Sequence, residues 1–360
     1  MSLPRTSRPA CPFVAGPRID DPCCFVGRKE ELKFLADRMK GIQPISVNVV
    51  GERLSGKSSL LWHFTNTWAQ MGPDPSRFLV VFICLRLAKP KTEAEFYRTL
   101  ADALSKLRAV EQCKPLRSTL AHFAKSRKEF GEVLNSLAEH GLLPVFCLDD
   151  FEKLFDHKDE LNKDFYDRLR GLMSTNKMML IIATRKPLEI CGAEQQLQSA
   201  FFNMAQLCEL REFSEDEPEE LLCLPVSGPP ALDLEERQIA KSWGGKTPWQ
   251  LQLAASFLFE ARQSGKSTTW AKQQFERERG RLLQVPEQQP SWSVKPWLRA
   301  AFVDFPRWLG RLPLRLGRYV DDTANLIMGW IIILLILACL FKYAGIADLF
   351  AVIWAHVKPS

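Results

Sequence analysis

Gly51-Glu52-Arg53-Leu54-Ser55-Gly56-Lys57-Ser58 decides how this chain folds, because it sets two glycines, a lysine and a serine at the spacing of a phosphate-binding loop. The apolar run 45–50 before it is typical of a buried parallel strand, and the run 59–64 after it begins a helical pattern. Strand, glycine loop and helix therefore follow in the order that holds phosphate at a helix N-terminus. The chain is predicted to bind a nucleoside triphosphate.

Each position of this loop has an expected task. Gly51 and Gly56 let the backbone N–H groups come closer to the phosphates than a Cβ would allow. Lys57 is expected to contact the β- and γ-phosphates, and Ser58 to place its hydroxyl on Mg²⁺. A second Gly-Lys-Ser triplet at 265–267 lacks the first glycine and a preceding strand, so we assign it no ligand. The predicted binding residues of the loop are Gly51, Ser55, Gly56, Lys57, Ser58 and Ser59, with Lys57 also assigned to catalysis.

Apolar segments separated by helical patterns determine the predicted fold. Helical spacing of apolar residues is clear over 94–107 and 120–137. Alternating strands and helices imply a mostly parallel sheet covered on both faces, with its ligand at the carboxyl ends of the strands. We predict a three-layer α/β fold of the P-loop NTPase type over 22–212 and a small helical lid over 213–283. The predicted strands are Ile45–Val50, Phe78–Leu85, Leu143–Asp149, Met178–Ala183 and Ala205–Leu210.

The third predicted strand ends in two acids, Asp149 and Asp150. Acids at this edge of a sheet, behind a phosphate-binding loop, are typical of a Walker B motif. Asp149 is predicted to hold Mg²⁺ through water. Asp150 is predicted to orient the attacking water, and Glu152 is the competing candidate for that catalytic role.

The fourth predicted strand leads into Thr184 and Arg185 at the same edge. A hydroxyl or a guanidinium placed there can sense the γ-phosphate, the arginine through a charge-assisted hydrogen bond. A helix cap and a solvated arginine are the alternative interpretation. Arg168 and Arg170 are candidate arginine fingers acting within the same chain.

The amino-acid composition narrows the possible classes of protein. With 46% hydrophobic and 25% charged residues, most of the chain has an ordinary soluble composition. The ten cysteines are scattered without a C-x-x-C pair, which favours reduced thiols over a disulfide framework or a zinc site. Six basic residues and one acid lie within 295–318, so most of the net charge of +6 is concentrated there. A nucleic-acid-binding ATPase would spread this charge over its folded face, so no nucleic-acid partner is expected.

Residues 324–341 form 18 residues without a charge, and all but Asn325 are apolar or small. A helix of this length spans about 27 Å, close to the hydrocarbon thickness of a bilayer. We predict a transmembrane helix over 324–343; a buried core helix is the alternative, disfavoured because the run is apolar on all sides. Since arginines precede the run and few basic residues follow it, the nucleotide-binding part is expected on the cytoplasmic side of a single-pass membrane protein.

The remaining segments flank these domains. Residues 1–21 are predicted to be a disordered tail, and no apolar stretch of a signal peptide occurs near the N-terminus. Residues 284–323 are predicted to be a linker that ends in a basic, aromatic juxtamembrane segment suited to an anionic lipid surface. Residues 344–360 are predicted to be a short C-terminal tail.

Four motifs resemble those of the STAND class of signal-transducing ATPases and its archaeal-type relatives in the AAA+ group. They are the segment 25–32, the phosphate-binding loop, the paired acids, and the segment 244–253 with its glycine and Pro248. The resemblance covers about 22–262 and implies ATP as ligand, with Val26 and Arg28 lining the adenine pocket and Pro248 contacting the base. Two departures are an additional residue between glycine and proline, and the lack of a long array of sensor repeats.

These features favour a membrane-anchored ATPase switch that uses ATP and Mg²⁺. The resemblance implies slow hydrolysis, a role in signalling or assembly, and self-association into a homo-oligomer, with a possible protein partner supplying the signal. One alternative is a nucleotide-gated effector that perturbs membranes. A DNA-handling AAA+ ATPase is another, although no helix-turn-helix or folded basic face is evident.

Overall fold

The structure, a computed structural model, describes residues 10–41, 43–71, 74–112, 120, 127–226 and 228–283. The predicted linker, the transmembrane helix over 324–343 and the C-terminal tail lie outside the described residues. Within the described ranges, no helix combines the length and the apolar character needed to cross a bilayer.

The nucleotide-binding half of the chain alternates strands and helices. Its strands are β1 (Val47–Val50), β2 (Phe78–Cys84), β3 (Leu143–Asp149), β4 (Met179–Thr184) and β5 (Gln206–Glu209). Its helices are α1 (Lys29–Met39), α2 (Lys57–Met71), α3 (Leu85–Ala88), α4 (Glu93–Ser105), α5 (Arg108–Gln112), α6 (Arg127–Glu139), α7 (Lys163–Met173) and α8 (Leu188–Glu194), with 3₁₀ helices at Pro22–Cys24, Pro75–Arg77, Phe151–His157 and Ala200–Asn203.

The five strands form one parallel sheet in the order β2-β3-β4-β1-β5. The prediction of a parallel α/β sheet is confirmed, with small shifts at the strand ends. The register pairs Cys84 with Asp149 and Val50 with Thr184. The ends of four strands therefore meet at one edge of the sheet, where the phosphate-binding loop begins.

Both faces of the sheet are covered by apolar side chains. Successive residues of β2 point to opposite faces, with Leu79, Val81 and Ile83 in one core cluster and Phe78 and Val80 in the other. Such a strand must be apolar throughout, which is why it reads as a continuous hydrophobic run. The helices on the two faces complete the three layers.

Residues 213–283 form a separate helical cluster. Its helices are α9 (Glu217–Leu222), α10 (Leu234–Gly244), α11 (Pro248–Gln263) and α12 (Thr268–Leu283). The helix α10 begins with a capping box in which Asp233 and Glu236 accept each other's backbone N–H. Trp249, Leu251 and Phe275 belong to a buried core distinct from those of the sheet. We call this cluster the lid.

The turn from α10 to α11 depends on the missing side chain of Gly244. A Cβ added there would lie 2.7 Å from the backbone nitrogen of Leu251 and 2.8 Å from its Cα. These are backbone atoms of the next helix, so they cannot rotate away, and the two helices would have to separate. A Cβ added at Gly280 in α12 would meet nothing within 4 Å.

We therefore expect Gly244→Ala to destabilise the full-length protein by about 1–3 kcal/mol through overpacking. Gly280→Ala is the matched control, and it should be neutral or stabilising by about 0.5–1 kcal/mol because alanine favours a helix interior. Thermal unfolding followed by calorimetry compares the two variants. Equal melting temperatures would contradict the close approach of α10 and α11.

Candidate nucleotide-binding site

The phosphate-binding loop needs its glycines for two different reasons. A Cβ at Gly51 would lie 2.5 Å from Ser55 Oγ and 3.2 Å from the Cβ of Leu210. Gly56 has open space around it but a φ of +96°, a conformation that other residues rarely adopt. The loop therefore closes tightly at its start and turns sharply just before α2, which leaves backbone N–H groups directed outward from a helix N-terminus.

The side chain of Lys57 folds back over this loop. Its Nζ donates to the carbonyl oxygens of Gly51, at 2.6 Å, and Glu52, at 2.8 Å. Burial lowers the pKa of Lys57, and the charges of Glu152 and Asp149 oppose that shift. The ammonium group is thus largely removed from water and held by neutral carbonyls, which phosphate oxygens can replace.

Ser58 and Asp149 form the part of the site that fits Mg²⁺. Asp149 is only 4% exposed, and the Ser58 hydroxyl lies beside its carboxylate. Burial raises the pKa of Asp149, and the Ser58 hydroxyl opposes this effect. Ligand atoms of Cys84, Asp149 and Asp150 lie within 4.8 Å of one another. Two carboxylates and a hydroxyl are oxygen ligands of the kind that Mg²⁺ prefers.

The two candidates for orienting water lie in different surroundings. Asp150 has a left-handed backbone, and its Oδ2 lies 3.1 Å from Arg86 Nε and 3.7 Å from Cys84 Sγ. The Glu152 carboxylate accepts the backbone N–H of Arg185, which joins the ends of β3 and β4. Burial raises the pKa of Glu152, and the Arg185 hydrogen bond opposes that shift. Both residues line the cavity described below.

Thr184 and Arg185 differ in burial and in their access to the cavity. The Thr184 hydroxyl is fully buried, accepting from Asn48 Nδ2 at 2.7 Å and donating to the Lys186 carbonyl at 2.7 Å. Both hydrogen bonds of this hydroxyl are made within the fold, whereas Arg185 is exposed and lines the cavity. Of the two sensors suggested by the sequence, the geometry favours Arg185.

The candidate arginine fingers lie on α7, and neither lines the cavity. Arg168 forms a two-bond ion pair with Glu93, at 3.0 Å and 2.5 Å. Its guanidinium ties α7 to α4, so the geometry does not favour a role for Arg168 at the phosphates of its own chain.

Arg28 joins the sheet domain to the lid. It is 5% exposed, and its Nη2 donates to the Arg211 carbonyl at 2.7 Å while its guanidinium lies 5.1 Å from the ring of Phe213. Its backbone N–H donates to Glu217, which also accepts the N–H of Ser214 at 2.7 Å. Burial alone would raise the pKa of Glu217, but these donors hold it below its usual value. This arrangement fixes the segment that leads into the lid.

The N-terminal segment is part of the site. Phe13 is buried in the lid core, and Arg18 lies 4.1 Å from the centre of the Trp62 ring. The backbone N–H of Val14 donates to Gln252 Oε1 at 2.9 Å, and that of Ile19 donates to Ser59 Oγ at 3.0 Å. The disordered tail predicted over 1–21 therefore does not extend over 13–20, which we call the strap, because the strap is bonded to both the lid and α2.

One cavity of about 490 Å³ joins all these elements. It collects nearly all the residues predicted from the sequence. Gly51, the first residue of the loop, does not line it, and its carbonyl accepts from Lys57. The predicted residues that line it are Val26, Arg28, Ser55, Gly56, Lys57, Ser58, Ser59, Asp149, Asp150, Glu152, Arg185 and Pro248.

Other lining residues were not found from the sequence. Among them are the strap residues Val14 and Gly16 to Asp20, Cys84 at the end of β2, Arg86 in α3, and the lid residues Trp249 and Gln252. A clear signal existed for Cys84 and Arg86, because Cys84 lies near the end of a predicted strand and Arg86 directly follows that strand, at the edge of the sheet where a ligand is expected. The strap carries no motif, and the motif over 244–253 pointed to its glycine and Pro248 but gave no role to Gln252.

Comparisons with known proteins agree with this geometry. The NACHT domain model matches residues 46–226, half of the chain. No curated protein sequence matches the chain. The Walker-type ATPase of Pyrococcus abyssi is similar in structure, with a TM-score of 0.53 and 17% identity over 87% of this chain and 91% of that one.

Two ORC proteins of Aeropyrum pernix are also similar in structure to this chain. The Orc1 protein, solved in complex with DNA, has a TM-score of 0.47 and 14% identity, covering 84% of this chain and 76% of its own. The Orc2 protein has a TM-score of 0.49 and 8% identity, covering 82% of this chain and 76% of its own. At 17% identity, the similarity to the Pyrococcus abyssi ATPase relates the folds alone. The family match decides the class: this chain belongs to the NACHT domain family, within the STAND class of P-loop NTPases.

Proposed function

We propose that this protein is an ATP-driven switch in which nucleotide state controls the closure of the lid on the sheet domain. The observation that carries the proposal is the single cavity lined by the phosphate-binding loop, the acids that follow β3, and Pro248 of the lid. A nucleotide in that cavity contacts both parts of the molecule at once. Its binding energy therefore favours the closed arrangement, as in other domain closures around a ligand.

Each residue has a specific task in this proposal. Lys57 leaves the carbonyls of Gly51 and Glu52 and binds the β- and γ-phosphates. Ser58 and Asp149 hold Mg²⁺, which when bound neutralises charge on the phosphate oxygens. Glu152 or Asp150 orients the attacking water, and Arg185 stabilises the charge that develops on the γ-phosphate. Positioning and electrostatics of this kind are the main means of catalysing phosphoryl transfer.

We propose further that the switch acts at the cytoplasmic face of the cell membrane. The support is in the sequence: the uncharged run 324–341 preceded by a basic, tryptophan-containing segment. ATP-dependent self-association at that surface would couple nucleotide state to signalling or assembly, with a protein partner supplying the signal. A membrane-perturbing effector gated by nucleotide remains the alternative, and it would lose its toxicity when 324–360 is deleted.

The test uses the full-length protein with ATP, ADP or no nucleotide, in the presence and absence of Mg²⁺. We expect Mg²⁺-dependent ATP binding, slow release of phosphate, and a larger assembly in analytical ultracentrifugation with ATP than with ADP. Membranes from expressing cells are washed with alkaline carbonate to test anchoring. The proposed switch is excluded if ATP does not bind, and the membrane location is excluded if the protein is released by carbonate.

A further inference from the structure

A buried carboxamide faces the cavity from the lid. Gln252, on α11, is only 4% exposed and lines the cavity beside Pro248 and Trp249. A polar group this deeply buried is costly unless its donors and its acceptor both find partners. The partners of Gln252 therefore indicate what the cavity is built to hold.

The orientation of the Gln252 amide is fixed by the strap. The backbone N–H of Val14 donates to the carboxamide at 2.9 Å. A backbone N–H can only donate, so the atom that receives it must be the oxygen Oε1. The amino group Nε2 is then directed away from Val14, and within the described part of the chain no atom accepts a hydrogen bond from it.

Gln252 and the phosphate-binding loop are bonded to different parts of the strap. Ile19 of the strap bonds Ser59, just after Lys57 and Ser58 of the loop, whereas Val14 lies five residues earlier and bonds Gln252. The apolar residues Val14, Val26 and Trp249 also line the cavity, and Val26 packs against the lid core that contains Trp249. An apolar pocket with one oriented donor is suited to a heteroaromatic ring.

We propose that Gln252 reads the base of the nucleotide, its Nε2 donating a hydrogen bond to N1 of adenine. The inference rests on the proposed nucleotide-binding function and adds base specificity to the same site. N1 of adenine is an acceptor and lies at the end of the purine away from the ribose. Guanine and hypoxanthine carry a hydrogen on N1, so their N1–H donor would face the Nε2 donor of Gln252. These two bases should bind more weakly than adenine, because their N1–H and Gln252 Nε2 would both be left without an acceptor.

The sharpest variant is Gln252→Glu, which has nearly the same shape and keeps an oxygen for the Val14 N–H but loses the donor. We expect its affinity for ATP to fall about 10- to 100-fold in the full-length protein. Affinity for inorganic tripolyphosphate, which engages the loop alone, should not change. Gln250→Glu is the matched control: it makes the same change on the same helix at a residue that does not line the cavity, and it should bind ATP normally.

A second measurement does not depend on the folding of any variant. In the wild-type protein, 1-deaza-ATP, which lacks N1, should bind about 10-fold more weakly than ATP. The proposal is overturned if 1-deaza-ATP and ATP bind with equal affinity. It is also overturned if Gln252→Glu lowers the affinities for ATP and for tripolyphosphate to the same degree. Wild-type protein that binds neither ATP nor tripolyphosphate would instead refute the nucleotide-binding function itself, and with it this inference.

Discussion

Glu152→Gln is expected to lower the rate of ATP hydrolysis by about 10²- to 10⁴-fold while leaving ATP affinity nearly unchanged. Glu152 lines the cavity, is held by the Arg185 N–H at the end of β4, and acts on Lys57 more strongly than the other acids do. Its carboxylate is thus fixed in the same cavity as Lys57, the lysine proposed to bind the γ-phosphate. Burial raises its pKa, which makes it a better base than an exposed glutamate.

Asp150→Asn is the matched variant, and it should keep most of the turnover. The Asp150 carboxylate faces Arg86 and Cys84, so it is already paired at the end of β2. Phosphate release by the two full-length variants, measured at saturating Mg²⁺ and ATP, separates the two assignments. If Asp150→Asn stops hydrolysis and Glu152→Gln does not, Asp150 is the residue that orients water.

Assigning Glu152 as the residue that orients water also predicts how the rate of ATP hydrolysis depends on pH. Because burial raises the pKa of Glu152, its carboxylate takes up a proton at a higher pH than an ordinary glutamate does. Hydrolysis should therefore decline on the acid side earlier than expected for an exposed carboxyl group. The residual activity of Glu152→Gln should lack that decline in a pH–rate profile.

The sheet and the phosphate subsite could be predicted because their signals are local. Residues Met179–Thr184 are buried on both faces of a parallel sheet, so the strand reads as an apolar run without any tertiary information. The loop that contains Gly51 and Gly56 is similarly determined by short-range backbone geometry. These elements depend on neighbours in sequence, and the sequence therefore identifies them.

The strap and the base end of the cavity could not be predicted for the opposite reason. Val14 and Gln252 are 238 positions apart in sequence. Val14 lies in no motif, and the motif over 244–253 that contains Gln252 gives no sign of this pairing. Asn48 is a similar case: a polar residue inside an apolar strand, it bonds Thr184 and the N–H of Leu188 and so removes the Thr184 hydroxyl from the site. Such pairings become visible only when the fold brings distant segments together.

The second Gly-Lys-Ser triplet provides a natural control for the lysine of the loop. Lys57 and Lys266 follow a glycine and precede a serine in the same way, but their surroundings differ. Lys266 lies on the surface of the lid, 3.7 Å from the centre of the Trp270 ring and 4.0 Å from Glu260. Removing its charge should affect neither the fold nor the nucleotide site, since exposed pairs contribute little.

Lys57→Met should therefore lower ATP affinity by about 100-fold, because the two phosphates lose charge-assisted hydrogen bonds worth about 1.5–3 kcal/mol each, partly offset by water. The melting temperature of the free protein should not fall, and it can rise. Burial lowers the pKa of Lys57, so its charge is held in the native state at a cost in stability, and the carbonyls it leaves can bond to water. Lys266→Met should match the wild type in both titration calorimetry and thermal unfolding. A loss of stability in Lys57→Met with ATP affinity intact would mean that this lysine supports the fold and does not bind phosphate.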